Sequence, residues 1–309
     1  MKILVVGDVM IDRFLHGSVE RPNPDGRGAV FRVERVEESL GGAAAVARIV
    51  RGLGASVFLV GVAGKDAAGR RLIELLDAAG VSHRIMLTED RVTTVKERRV
   101  AAGRLLANRV DYESRNPIRR QEARRLVDTA RRFGQWDAVL VSDYGKGMIT
   151  CELLDGLVQV AHGVPILIDP ARGRSLDFYP AGALIKANLA EARQAAGLPW
   201  GSPVELLDML GGDRPVVITA GADGIFWAFG NRSGHVPGIR VEQVVDVAGA
   251  GDTVLAVLGC CLAQGVDLSK ACRLANTAAR FQVGRLGVAS IRPEEIGLPP
   301  LAENRTGAA

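Results

Sequence analysis

Cysteine is scarce in this chain of 309 residues, and its placement excludes a cysteine-based metal site. The four thiols, Cys151, Cys260, Cys261 and Cys272, form no CxxC pair and have no paired histidines to complete a zinc site. We therefore expect them to be small core side chains of a protein in a reducing compartment.

Long apolar runs and blocks of like charge are also missing. No segment approaches the ~18 uninterrupted apolar residues of a membrane-spanning helix, and the apolar run at the N-terminus is too short for a signal peptide. The net charge of +4 is small, and the arginines are spread along the chain. These features predict a soluble, cytoplasmic protein that binds neither membranes nor nucleic acids.

Aromatic residues are few, at 5% against 48% hydrophobic residues in all, so Ala, Val, Leu and Ile must form most of the core. Such a core suits helices packed on a parallel sheet. Strand and helix patterns alternate with short connections, which predicts an α/β fold with a doubly wound sheet. The predicted strands are 2–7, 56–62, 137–142, 164–169, 183–186 and 214–219, and the predicted helices are 42–53, 67–79, 119–133, 151–161, 189–196 and 203–210.

Two segments, 28–38 and 92–112, alternate apolar with charged residues at a period of two. This alternation is typical of strands with one face in water. The segments could pair as a small antiparallel sheet, forming a lid over the carboxyl ends of the parallel strands, where open α/β sheets bind ligands. Ordinary surface hairpins explain the pattern about as well.

The sequence DVAGAGDT at 246–253 is the clearest candidate for a site of chemistry. Gly249, Ala250 and Gly251 leave the backbone bare where a helix is predicted to begin, so an anion could approach its free N–H groups. Asp252 would repel that anion unless it accepted a proton from an attacking hydroxyl. The simpler alternative is an acid that only complements the helix dipole.

The familiar phosphate-binding motifs are absent from the sequence. No GxxxxGK[ST] occurs, and no GxGxxG directly follows the first strand. A P-loop and a dinucleotide-binding fold are therefore not predicted.

Several motifs, in a common order, resemble those of the ribokinase (PfkB) family of sugar kinases. DVAGAGDT is similar to the family's DTxGAGD signature, and Gly41 and Gly42 fall at its glycine pair. The others are KANLAEA at 186–192, ITAGADG at 218–224 and ANTAA at 275–279. Within the family, VVGDVMIDRFLHG at 5–17, TTVKERR at 93–99, SDYGKGM at 142–148 and IDPARG at 168–173 resemble the heptose 7-phosphate kinase domain of bifunctional ADP-heptose synthases.

The resemblance implies a ribokinase-like, three-layer kinase domain over 1–291, with lid strands within about 10–38 and 90–112. The Pro- and Gly-rich segment 292–309 is expected to be a loose tail. The nucleotidyltransferase domain that often follows this kinase domain is not expected within the 309 residues. Lid strands of the family often pair between subunits, which implies a homodimer.

The resemblance also implies roles for residues at the nucleotide. Asp252 would be the base that deprotonates the sugar hydroxyl, and the backbone N–H groups of Ala250, Gly251 and Asp252, after Gly249 at the helix start, would cradle the charge on the transferring phosphoryl group. The residues implied at ATP are Thr219, Gly221 and Gly224, with Asn276 near adenine. Asn188 and Glu191 would organise a hydrated Mg²⁺ through water, although Asn-x-x-Glu by itself is more often a helix cap. K⁺ or another monovalent cation near Asp246 is an open option.

On the sugar side, Asp12 corresponds to the family's hydroxyl-binding acid, and Gly41 and Gly42 would let the sugar approach the backbone. Lys96, Arg109 and Lys146 could meet a phosphate on the substrate, or could be ordinary solvated charges. Ala45 stands where the family usually has a sugar-binding asparagine, so the sugar pocket departs from the family pattern.

The leading hypothesis is an ATP- and Mg²⁺-dependent phosphotransferase with an alcohol group as acceptor. Its first candidate substrate is D-glycero-beta-D-manno-heptose 7-phosphate, giving the 1,7-bisphosphate. A kinase for another sugar or nucleoside is one alternative, and a non-catalytic sugar-phosphate binding or regulatory protein is the other.

Overall fold

The computed structural model describes residues 1–26, 28–241, 247–284 and 291–298. Its strands, in chain order, are Lys2–Gly7 (β1), Val9–Pro22 (β2), Ala29–Gly42 (β3), Ser56–Gly64 (β4), Ser82–Thr88 (β5), Thr94–Ala101 (β6), Arg104–Tyr112 (β7), Ala138–Ser142 (β8), Ile166–Asp169 (β9), Leu184–Asn188 (β10), Val216–Thr219 (β11), Ile225–Phe229 (β12) and Arg232–Val236 (β13). Its α-helices are Ala43–Gly52 (α1), Ala67–Ala78 (α2), Arg120–Arg132 (α3), Cys151–Ala161 (α4), Leu189–Ala196 (α5), Pro203–Leu210 (α6), Ala250–Ala263 (α7), Leu268–Val283 (α8) and Pro293–Ile296 (α9).

The larger sheet has the order β13-β12-β11-β10-β9-β8-β1-β4-β5 in the described residues. Its strands run parallel from β11 to β5, and β12 and β13 continue it as antiparallel strands. The chain leaves β1 first towards β4 and β5 and later towards β8, so the strand order reverses at β1. Ligands of open α/β sheets bind at the carboxyl ends of the strands beside such a reversal.

Helices cover both faces of this sheet, because alternate residues of each central strand point to opposite sides. In β1, Ile3 and Val5 pack in one apolar cluster with α1, α2, α7 and α8. Leu4 and Val6 pack in a second cluster with α3, α4, α5 and α6. The predicted three-layer, mostly parallel α/β fold is confirmed.

The smaller sheet has the order β3-β2-β6-β7 and forms the lid. The prediction that this sheet is antiparallel was wrong in one respect, since β2 and β6 run parallel. The pattern search also missed β5, β12 and β13. β5 and β13 are edge strands of the larger sheet and β12 lies next to β13, and the less regular burial near a sheet edge gives a weaker pattern in sequence.

Two further observations concern the C-terminal segment and the helices. The described beginning of the segment expected to be a loose tail is packed: α9 forms there, and Ile296 and Leu298 are buried in the core. Among the described residues, we find no helix with the length and apolar character needed to cross a membrane.

Candidate active site

Helix α7 begins at the carboxyl edge of the larger sheet and carries Asp252 in its first turn. Gly249 is the N-cap, with a φ of 76°, a left-handed conformation that glycine adopts without steric cost. Its lack of a side chain leaves the first N–H groups of the helix without a side-chain partner. Asp252 is only 4% exposed. Burial, followed by the charge of Asp169, raises the pKa of Asp252 to about 7.

One cavity of about 500 Å³ brings together most residues predicted at the nucleotide. Ala250 and Gly251 lie on its wall at the start of α7. The remaining predicted residues in the wall are Thr219, Gly221, Gly224 and Asn276. Apolar side chains such as Val247, Val254 and Ile239 complete the lining. The cavity therefore offers an apolar slot that ends at a helix N-terminus, an arrangement suited to a flat apolar group joined to phosphates.

A buried ion pair lies directly beneath Gly251. The Nζ of Lys186 is 2.6 Å from Oδ2 of Asp169, and Lys186 is only 3% exposed. Burial would lower the pKa of Lys186, but Asp169 raises it above its usual value, so the ammonium stays charged. A Cβ added to Gly251 would lie 2.9 Å from this Nζ. The start of α7 thus has a positive charge immediately behind it.

Asn188 and Glu191 form a reciprocal cap at the start of α5. The backbone N–H of Asn188 donates to Oε2 of Glu191 at 2.9 Å, and that of Glu191 donates to Oδ1 of Asn188 at 3.0 Å. This geometry is that of the helix-cap alternative. Burial, followed by the charge of Asp169, raises the pKa of Glu191. Within the described part of the chain, no group of three His, Cys, Asp or Glu side chains is arranged to hold a metal ion.

On the other side of α7, the lid brings Asp12 and the glycine pair to the cleft. Oδ1 of Asp12 pairs with Nη1 of Arg98 at 2.5 Å. A Cβ on Gly41 would lie 2.5 Å from Oδ2 of Asp12, and one on Gly42 would lie 2.4 Å from the carbonyl oxygen of Asp8. These glycines therefore keep the backbone bare beside the carboxylate. Asp12 is close enough to raise the pKa of Asp252.

The three basic residues predicted to bind a substrate phosphate differ from one another in their contacts. Lys96 lies next to Asp12 in the pairing of β2 with β6, and its Nζ lies 4.4 Å from the centroid of the Tyr144 ring. Arg109 is half-exposed and donates two hydrogen bonds to Asp111, at 2.7 and 2.8 Å. Lys146 forms an ion pair with Glu113, and both side chains are largely buried. A phosphate would have to displace these acids from Arg109 and Lys146.

The sequence prediction left out four residues of this site, Arg98, Tyr144, Asp169 and Lys186. Each lies in a motif that resembled the family, and Lys186 is also one of only six lysines in the chain. Ala45 is fully buried within α1, so it presents no polar group to the cleft. Asp246, the predicted monovalent-cation residue, lies outside the described residues.

Comparison with known proteins decides the family. The family described as pfkB family carbohydrate kinase matches residues 1–295. The chain belongs to this family. The predicted family and enzyme class, a carbohydrate kinase that is a phosphotransferase with an alcohol acceptor, are confirmed.

Curated relatives of this PfkB family chain include the bifunctional protein HldE of Caulobacter vibrioides. It is 37% identical over 305 residues, which cover 95% of this chain and 62% of the relative. The bifunctional protein HldE of Stutzerimonas stutzeri is 37% identical over 307 residues, with the same two coverages of 95% and 62%. The chain therefore spans about three fifths of the length of these relatives.

Solved structures share the fold of this PfkB family member. Phosphofructokinase-2 from Escherichia coli, in complex with potassium, has a TM-score of 0.77 at 18% identity, and the match covers 96% of both chains. Ribokinase from Arabidopsis thaliana, complexed with ribose and ATP, has a TM-score of 0.73 at 19% identity, covering 95% of this chain and 96% of the other.

Proposed function

We propose that this protein transfers the γ-phosphoryl group of ATP to a hydroxyl of a sugar phosphate, with D-glycero-beta-D-manno-heptose 7-phosphate as first candidate. The observation that carries the proposal is the position of Asp252. It is a buried carboxylate with a pKa near neutrality, between a nucleotide-sized cavity and a lid that carries a second acid, Asp12. A carboxylate poised near neutral pH can both hold and accept a proton.

The reaction needs a base, a place for the charge of the transferring group and a closed site. Asp252 would take the proton of the acceptor hydroxyl. The oxygen of that hydroxyl would bond to the γ-phosphorus while the bond from the γ-phosphorus to the β,γ-bridging oxygen breaks. The N–H groups at Ala250 and Gly251 would stabilise the charge on the transferring oxygens. Lys186, directly beneath Gly251, adds a fixed positive charge on the same side.

A magnesium ion brought by ATP would supply further charge neutralisation at the phosphates. Mg²⁺ in kinases keeps several waters and needs only one or two carboxylates besides the phosphates. Glu191 and Asp169 are the carboxylates that we assign to this need, and the like charge of Asp169 adds to burial in raising the pKa of Glu191. We propose that Glu191 holds the hydrated ion through water.

The heptose phosphate is favoured by the HldE relatives and by the basic side chains at the lid. Lys96 would provide a cation for a phosphate on the substrate, as would Arg109 and Lys146 once the phosphate displaced Asp111 and Glu113 from them. The loss of the usual asparagine at Ala45 leaves one polar contact fewer for the sugar, a change worth about 1–3 kcal/mol. A kinase for another sugar therefore remains the second candidate.

We also propose a homodimer formed through the lid. Apolar side chains on the lid strands are 43–54% exposed, and such surface is typical of an interface; they are Val19, Val33, Val36, Leu105 and Tyr112.

The test is a coupled assay of ADP release against a panel of free and phosphorylated sugars that includes the heptose 7-phosphate. We expect turnover with a phosphorylated sugar, and a loss of about 10²–10⁴-fold in Asp252→Asn at unchanged ATP affinity, because only the base is removed. Lys65→Met, which alters an exposed ion pair with Glu89, serves as the control. Turnover with no member of the panel would exclude the kinase, and wild-type turnover in Asp252→Asn would exclude Asp252 as the base.

A further inference from the structure

The loop that follows β8 is built around one buried carboxylate. Asp8, just after β1, accepts hydrogen bonds from the backbone N–H groups of Tyr144 at 2.8 Å, Lys146 at 3.1 Å and Met148 at 3.4 Å. Because three backbone N–H groups of the loop donate to this one carboxylate, the carboxylate fixes the path of the loop. The backbone of Tyr144 is therefore held in one place at the edge of the sheet.

The side chain of Tyr144 joins the lid to the first turn of α7. Its hydroxyl donates to Asp252, at 3.1 Å from Oδ1 and 3.4 Å from Oδ2. The ring faces the ammonium of Lys96, at 4.4 Å from the centroid, a distance suited to a cation–π contact. One residue thus contacts the candidate base at its tip and a lid strand at its face.

We infer that Tyr144 is a positioning residue for Asp252: its hydroxyl bonds to the carboxylate and holds it in the ionised form that takes the proton of the acceptor hydroxyl, and Lys96 keeps the ring in the orientation that this requires. The inference rests on the proposed function and extends it to a residue that contacts the base but not the reacting atoms.

The chemistry of a tyrosine suits this task. Burial and the charge of Asp252 raise the pKa of Tyr144 well above its usual value, so its hydroxyl remains a donor whenever Asp252 is ionised. A phenol that keeps its proton cannot compete with the substrate hydroxyl as a proton source. It favours the ionised carboxylate, because a donated hydrogen bond stabilises the negative charge.

Other charges also act on Asp252, from every described element packed around it. Asp169 at the end of β9 and Asp12 on β2 raise the pKa of Asp252, whereas Lys186 on β10 lowers it together with the Tyr144 hydroxyl. Lys96 on β6 interacts with Asp252 from across the Tyr144 ring. Of these groups, the hydroxyl can be removed while leaving all formal charges and the ring contact with Lys96 in place.

Tyr144→Phe makes that change. In wild type, we expect kcat to rise with pH through about 7, as Asp252 ionises. In the variant, we expect this limb to move up by about one pH unit, so that kcat falls about fivefold to tenfold at pH 7 and recovers to within about twofold at pH 9. The KM for ATP should not change. Lys65→Met, at an exposed ion pair with Glu89, is the control and should keep the wild-type profile.

A second measurement does not depend on turnover. In protein labelled with ¹³C at the aspartate carboxyls, the resonance of Asp252 is the one missing from Asp252→Asn. We expect it to titrate at higher pH in Tyr144→Phe than in wild type. An unchanged titration would overturn the inference, as would an equal loss of kcat at every pH, which would mean that Tyr144 acts only through the fold. If wild type shows no turnover, the proposed function fails, while the titration still decides the role of Tyr144.

Discussion

At the scale of single residues, the ion pair of Lys186 with Asp169 matters most for the stability of the site. Both groups are shielded from water, and the carboxylates of Glu191 and Asp252 interact with Lys186 as well. One cation therefore offsets the charge of several acids in a small volume. Removing one partner of a buried pair leaves the other as an uncompensated charge, which is costlier than removing both.

This reasoning predicts the stability of variants at that pair. Lys186→Met should lower the free energy of unfolding by about 3–5 kcal/mol, measured by urea denaturation, because Asp169 stays buried without its partner. The double variant Lys186→Met/Asp169→Asn should recover much of that loss.

The exposed pair of Lys65 with Glu89 provides the comparison. Lys65→Met should change the free energy of unfolding by no more than about 1 kcal/mol, because water screens that pair. Equal losses in Lys186→Met and Lys65→Met would contradict the view that burial makes the Lys186 pair important.

At the scale of elements, the first turn of α7 combines backbone that no large side chain covers with the candidate base, Asp252. Gly249 starts the helix in a left-handed conformation, Ala250 and Gly251 line the cavity, and Asp252 points to the side of the lid. Successive helical residues are about 100° apart, so adjacent positions can serve the two substrates separately. In the proposed function, the start of this helix would lie between the nucleotide and the sugar.

Gly251→Ala tests this element. The added methyl would lie 2.9 Å from the Nζ of Lys186 and 3.7 Å from Oδ2 of Asp169, so the end of the lysine side chain must shift slightly, but no backbone atom stands in the way and the fold should survive. It would, however, occupy space beside the N–H groups that face the phosphates, and we expect kcat to fall about 10²-fold.

Gly52→Ala is the matched control at another helix. Its nearest neighbour would be the carbonyl oxygen of Ile291, at 3.7 Å, so the methyl finds room. We expect wild-type kcat and a melting temperature equal to or slightly above that of wild type. Wild-type kcat in Gly251→Ala would show that the start of α7 does not meet the transferring group.

At the scale of the whole molecule, the lid strands expose apolar side chains on their outer surface. Lys96 on β6 contacts Tyr144, just after β8, whereas three valines of the lid strands, Val19, Val33 and Val36, are 44–54% exposed. Pairing with a second copy would bury them and hold the lid over the cleft.

We therefore predict a dimer in solution that depends on the lid. Val33→Glu/Val36→Glu should give a folded monomer by light scattering, because two charges cannot be buried at an apolar interface. Val204→Glu, at an exposed valine of α6, should remain dimeric. A wild-type monomer, or a double variant that stays dimeric, would contradict the prediction.

The sequence by itself determined most of the regular elements and the family signature at the start of α7. The predicted bounds of α4, α5 and α6 agree with the structure, because Thr150, Asn188 and Ser202 cap these helices through local hydrogen bonds. The Gly-Ala-Gly backbone and Asp252 are likewise contiguous, so a short motif could predict a helix start with an acid in its first turn.

Only the tertiary structure decided which groups surround that acid. Tyr144 reaches Asp252 across 108 positions of sequence, and Arg98 reaches Asp12 across 86. Such contacts depend on the order of strands and on the path of the lid, which no local pattern records. The pKa of a carboxylate is set by burial and by nearby charges, so it too could be assigned only after folding had brought these residues together.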